Sequence, residues 1–265
     1  MINKIIKKSS KVFRDTNGRV CITNKNVRVQ NIGFDPQNST LIDSTQAKKL
    51  DAYRCDSIGV QSPNHLAPIG TEILRSSLAI FKRAMQFGEV DSVRFYANGT
   101  ALIGGQNSLI CSNAQVLFKA EITHTSSETI LIPHTLLDAM IKTCGTNAIA
   151  VFSVHRDTIT IECNGFIGQA PIVSGHYPPY QSAFPRKIVH SVNAVKNEEN
   201  EVKLKRVSFS DENVNLNLSV ENVNILKKTG FPLIAQVENV NRPVLFTDAM
   251  GCEALVVPMR AWGVQ

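Results

Sequence analysis

The sequence has no apolar run near the roughly 20 residues that a membrane-spanning helix needs. Its first residues, Met1 to Lys8, lack the hydrophobic region and small-residue cleavage site of a secretory leader, so a cytoplasmic protein is expected. Cysteine is sparse: the six residues at 21, 55, 111, 144, 163 and 252 are scattered, with no two at metal-ligand or redox spacing. They read as reduced core thiols. Charge is not extreme. A net +6 permits an anionic partner such as nucleic acid without demanding one. Catalytic signatures are missing too. His124 and His134 flank Ser126, Ser127 and Glu128, and Cys111 and Cys144 are thiols, yet no nucleophile elbow, phosphate loop or metal-ligand spacing accompanies them. The expectation is a protein that is not an enzyme, with no catalytic residue, metal or cofactor.

What the sequence does contain is a rigid aromatic linker, Gly175-His176-Tyr177-Pro178-Pro179-Tyr180-Gln181-Ser182-Ala183-Phe184-Pro185. Its prolines fix φ and remove amide donors, which excludes a helix or a central strand. Its tyrosines offer amphipathic rings to lock it on a core. Before it, one order of elements is written twice. Thr71 is expected to cap a helix running to about Phe87, with Leu74, Leu78, Phe81 and Met85 as its apolar stripe. Strands follow at Ser92–Ala97, Thr100–Ile103, Ser108–Ser112 and Gln115–Ala120, the first two joined by a tight Asn98-Gly99 turn. Then Thr129–Ile132 is a strand, Pro133 opens a second helix with Leu136, Leu137, Met140 and Ile141, and Gly145 stops it. Strands at Val151–Val154, Thr158–Ile161 and Phe166–Val173 complete the repeat.

The flanks are plainer. Residues 1–67 hold a basic start (Lys4, Lys7, Lys8, Lys11) and two hairpin-like runs, Arg19–Thr23 and Val27–Ile32; Gln61–His65 looks like a linker. Residues 188–265 predict a short helix near Val189–Val195. Strands follow at Val202–Ser208, Val214–Val220, Leu233–Val237 and Pro243–Phe246, with a last run at Leu255–Met259. No second long helix is evident there. The division is an N-terminal segment 1–67, a complete unit 68–187 and a reduced unit 188–265.

These residues carry a resemblance. Val93-Arg94-Phe95-Tyr96-Ala97-Asn98-Gly99, Ile130-Leu131-Ile132-Pro133, the Gly175–Pro185 linker and Val256-Val257-Pro258-Met259-Arg260 are similar, in order, to markers of the bacterial β sliding clamp family. That family is the ring-shaped processivity factor of the replicative DNA polymerase. The resemblance covers about 68–265, and the family's Asp-Gly-His-Arg-Leu turn stands here as Asn113-Ala114-Gln115-Val116-Leu117. It implies an α+β DNA-clamp fold of duplicated helix-strands units, with the helices on one face of curved antiparallel sheets. It further implies a homo-oligomeric ring, trimer favoured over dimer, around double-stranded DNA of any sequence. Its partners would be a DNA polymerase and a clamp loader. The alternative is a non-encircling clamp-fold adaptor of replication or transcription machinery.

Two sites follow from the resemblance. Arg75, Lys82, Arg83 and Lys142, on the polar sides of the two expected helices, would face DNA and cancel phosphate charge without reading bases. An apolar groove for a short partner peptide would include Ala97, Leu117, Pro178, Ala183, Val256, Val257, Pro258 and Met259, with Arg260 at the rim.

Overall fold

The computed structural model describes residues 11–16, 20–24, 27–31, 34–42, 68–89, 92–194 and 206–259. In chain order the strands are β1 (Lys11–Asp15), β2 (Val20–Asn24), β3 (Val27–Asn31), β4 (Ser39–Ile42), β5 (Thr71–Ser77), β6 (Gly99–Leu102), β7 (Ser108–Ser112), β8 (Val116–Glu121) and β9 (Ile130–Pro133). They continue with β10 (Ile149–His155), β11 (Thr158–Cys163), β12 (Phe166–Pro171), β13 (His190–Asn193), β14 (Arg206–Ser210) and β15 (Asn215–Ser219). The last three are β16 (Ile234–Val237), β17 (Val244–Thr247) and β18 (Glu253–Val256). The helices are α1 (Leu78–Ala84), α2 (His134–Cys144) and α3 (Val220–Thr229).

Two eight-stranded antiparallel sheets organise them, in the orders β4-β1-β2-β3-β12-β11-β10-β5 and β9-β6-β7-β8-β18-β17-β16-β13; β14 and β15 pair separately. Each large sheet therefore joins strands from distant parts of the chain. β3 meets β12 at Val29↔Gly168, and β8 meets β18 at Leu117↔Leu255. The strands before α1 and α2 cross over: β5 precedes α1 yet pairs with β10, and β9 precedes α2 yet pairs with β6.

Period-2 alternation sorts the second sheet into two faces. Leu102, Leu109, Phe118, Ile132, Phe246 and Ala254 point to the main core, with Leu78, Phe81, Leu136 and Met140 from α1 and α2 and Val223 and Leu226 from α3. Phe81 stacks on Phe152 at 4.6 Å between ring centres. The opposite row, Ala101, Ile110, Leu117, Leu131, Leu245 and Leu255, forms a smaller cluster with Tyr180, covered by Phe95, Tyr96, Tyr177, Ala183 and Phe184. The linker thus seals the outer face of this sheet. Its rings run on from Phe95 in edge-to-face steps, Phe95–Tyr96, Tyr96–Tyr177, Tyr177–Tyr180 and Tyr180–Phe184, at 5.7 to 6.3 Å. Gly175, at φ +133, lies where an added Cβ would be 2.5 Å from the Phe95 ring, so only glycine fits there.

Four elements differ from expectation. Thr71 caps no helix: residues 71–77 are strand β5, and Leu78 N–H still donates across the sheet to Ala148 O at 2.9 Å. The cap is Ser77, whose Oγ accepts from Ala79 N–H at 3.2 Å. Ser92–Ala97 is not a strand either. Asn98 bonds both backbone groups of Ser92 at 2.7 Å, closing a compact loop that ends in a 3₁₀ turn over Phe95–Asn98, with no Asn98-Gly99 hairpin. The helix expected near Val189–Val195 is β13, with Val192 buried and paired to Ala235. Residues 220–229 form α3, which alternation had hidden; Ser219 caps it and Gly230, at φ +81, ends it. Of the basic start, Lys11 opens β1, while Lys4, Lys7 and Lys8, like Gln61–His65, lie outside the described residues.

A buried histidine holds the entry to α2. His134 Nδ1–H donates to Glu89 O at 3.0 Å, which leaves Nε2 to accept from Thr100 Oγ1 at 3.2 Å, with Cys111 Sγ at 3.5 Å. Burial lowers its pKa below the ordinary 6.5, against the raising effect of the Glu89 bond. The unfolded chain therefore takes up a proton below pH 6.5 that the folded chain resists. The His134 contribution to stability is full above that pH and is lost as pH falls below it and through the lowered pKa of the folded chain. The urea midpoint should drop between about pH 7.5 and about pH 5.5, and His134→Asn should weaken that dependence. An identical pH dependence in the variant would show that His134 titrates as if exposed.

Candidate functional site

The covered outer face is open at one place. Over the seam between β8 and β18, a groove with a cavity of about 180 Å³ has Leu117 and Leu255 as its floor. Tyr96, Tyr177, Pro178, Tyr180 and Ala183, with Pro243 and Val257, line it. Ser112, Ala114 and Gln115 make the rim. The β7–β8 turn that carries this rim is held by Asn113 Oδ1, which accepts from Gln115 N–H and Val116 N–H at 3.0 Å. Arg94 Nη1 donates to Asn113 O at 3.1 Å from outside. Ala114 sits in the left-handed region, φ +75.

Polar groups are few and mostly occupied. Tyr180 O–H donates to Gln106 Oε1 at 3.1 Å, and Val257 N–H donates to Gln115 O at 2.9 Å, which ties the C-terminal stretch along the groove. Tyr177 Oη is buried with no hydrogen-bond partner among the described residues. Burial first, then the neighbouring Cys111, Tyr96 and Tyr180, pushes its pKa upward, so it stays a neutral phenol. Lys119 Nζ pairs with Glu253 at 2.5 Å and lies 5.0 Å from the Phe184 ring centre, pinning the linker over the seam.

Of the expected groove residues, Leu117, Pro178, Ala183 and Val257 come together here. Val256 does not: it is fully buried on the opposite face, because adjacent strand residues point opposite ways. Ala97 is fully buried within the 3₁₀ turn and is not part of the groove lining. Pro258 is outside the lining, and Met259 N–H donates to Asn217 O at 2.8 Å, carrying the chain onto β15 and away from the groove. Arg260 lies outside the described residues. The sequence reading missed Leu255, Tyr96, Tyr177 and Tyr180. Strand alternation alone selects Leu255 with Val257.

The other face of the sheet carries the helices. α1 packs on α2, and α3 packs on the 3₁₀ turn Met85–Phe87 that continues α1. Lys82 and Lys142 are exposed on this layer; Lys82 Nζ donates to Thr146 Oγ1 at 3.1 Å, and Lys142 pairs with Asp138 one turn away. Lys227 and Lys228, in the last turn of α3, are exposed and form no ion pair among the described residues. Nothing local in the sequence marks them, because the pattern of α3 continues from an alternating strand. Arg75 is on strand β5, not on a helix, and pairs with Glu72 at 3.3 Å. Arg83 turns inward, paired with Asp248 and lying 4.4 Å from the Phe231 ring centre. It is a packing cation rather than part of the open basic face.

Two sheets bridging repeated strand-helix units, helices on one side and a sealed outer face on the other, define a DNA-clamp architecture. No family model matches the chain, and no curated protein does. Solved structures do. A putative DNA polymerase III β subunit from Eubacterium rectale superposes with a TM-score of 0.68 at 11% identity, covering 95% of this chain and 91% of that one. The Pseudomonas aeruginosa DNA polymerase sliding clamp gives 0.69 at 10% identity, covering 96% and 92%. The Thermotoga maritima β subunit gives 0.69 at 11% identity, covering 97% and 93%. The chain has the sliding-clamp fold, as its sequence markers implied. Among the described residues no helix is long and apolar enough to cross a membrane.

Proposed function

We propose that this chain is a sliding-clamp-like processivity factor: it assembles with copies of itself into a ring around duplex DNA and tethers a DNA polymerase through the apolar groove. The observation that carries this reading is the two-sided layout of the second sheet. Lysines of α1, α2 and α3 line the layer on one face, and the groove opens on the other, so DNA and a partner peptide are held at once without competing. No catalytic group is needed, since a closed ring holds DNA by topology. Its lysines only offset phosphate charge, weakly enough to slide.

The composition of the chain favours three copies. One unit has both sheets and two helices; β1–β4 supply half a unit before it, and β13–β18 with α3 a reduced one after it. Among the described residues that is about two unit equivalents, and on that count a trimer supplies the six that clamp rings share, by analogy with that fold; a third unit in each chain would make the ring a dimer. Replacing Lys82, Lys142, Lys227 and Lys228 together by Gln should flatten the salt dependence of DNA binding. The slope of log K against log salt should fall by about 0.9 for each lysine that met a phosphate. An unchanged slope would remove the helix layer from the DNA contact.

A further inference from the structure

The fold brings two distant cysteines together. Cys144 is the last residue of α2 and is half-buried; Cys163 is the last residue of β11 and is buried. The turn after β11, Asn164-Gly165, is left-handed at both residues (φ +51 and +82) and folds back against the helix end, where Asn164 Nδ2 donates to Cys144 O at 3.4 Å. Cys144 Sγ donates to Cys163 O at 3.4 Å and Cys163 Sγ donates to Ile149 O at 3.3 Å, so the Cys144 thiol lies against the residue that carries the second one.

We infer that Cys144 and Cys163 are a dithiol site that closes to an intramolecular disulfide on reaction with a small disulfide such as glutathione disulfide. Cys144 is the more accessible sulfur and reacts first. Its thiolate attacks one glutathione sulfur, breaking that S–S bond and releasing one reduced glutathione. Cys163 then attacks Cys144 Sγ, expelling the second. Two electrons and two protons pass from the pair to two glutathione thiols, and no other reactant is needed.

Burial raises the Cys163 thiol, which leaves the first attack to the half-buried Cys144. The remaining described cysteines have no such arrangement. Cys111, pushed up to about 12 by burial, lies beside His134, and Cys21 and Cys252 are buried. The bridge would fasten the C-terminal end of α2, two residues beyond Lys142, to the β11–β12 hairpin.

The test is peptide mapping of the full chain under non-reducing conditions after incubation with glutathione disulfide. The expected result is an intact mass lower by about 2 Da and a peptide linking Cys144 to Cys163, both reversed by dithiothreitol. The bridged form should also melt several degrees higher. Cys144→Ser should abolish the linked peptide. A stable glutathione adduct on Cys144 with Cys163 still alkylatable, a bridge between other cysteines, or no reaction at all would each overturn the inference, and none depends on the variant folding.

Discussion

Val257→Glu should weaken binding of a polymerase-derived peptide with an aliphatic or aromatic anchor by about 100-fold, roughly 2–3 kcal/mol. Val257 is 45% exposed and stands over the Leu117–Leu255 floor, so a carboxylate there must lose water against apolar walls when the peptide docks. Its backbone N–H stays bonded to Gln115 O, so the fold and melting temperature should hold. Met259→Glu is the matched control. Met259 is similarly exposed at 41% but lies off the groove, and its variant should bind as the parent does. Fluorescence anisotropy with a labelled peptide separates the two. Equal affinity for Val257→Glu and the parent would mean that the groove is not the docking site.

Arg83→Ala should be strongly destabilising, costing about 3–5 kcal/mol in urea unfolding. The Asp248 side chain is only 6% exposed, and without Arg83 its charge is left buried. Two backbone donors remain, Met250 N–H at 2.9 Å and Cys252 N–H at 2.8 Å, but they do not cancel a full charge. The variant also forfeits the guanidinium face on Phe231 and its weaker approach to Phe118 at 5.6 Å. The salt slope of DNA binding should not change, which distinguishes Arg83 from Lys82 one residue earlier. A cost below about 1 kcal/mol would mean that the pair behaves like a solvent-screened surface ion pair.

These two residues show what sequence reasoning reaches in this fold. Val257 was found through its place in a family-like tail, and period-2 alternation then separates it from Val256, whose side chain faces the main core. The linker was read from its own prolines and tyrosines, because fixed φ angles and missing donors are local properties. α2 was read from Pro133, a regular apolar stripe and Gly145. Arg83 could not be placed, because its partner Asp248 lies 165 residues away and only the finished fold joins them. α1 and β5 were merged because Leu74 and Leu78 are both buried, at a spacing that a strand running straight into a helix shares with one continuous helix. α3 was lost for a different reason. Its run Val220-Glu-Asn-Val-Asn-Ile-Leu-Lys-Lys-Thr buries only Asn222, Val223 and Leu226, and it follows an alternating strand without a break. With α3 went Lys227 and Lys228. The groove walls were half-found: Pro178 and Ala183 came with the linker, whereas Tyr96 appeared only once its loop had folded into a turn.

The most direct test of the ring is the native mass in solution, measured by light scattering over a range of concentrations with and without duplex DNA. The expected result is a discrete species of three times the 29.1 kDa chain mass. A particle that remains a single chain at every concentration, with DNA present, would contradict encirclement and leave a clamp-fold adaptor that docks partners through its groove alone.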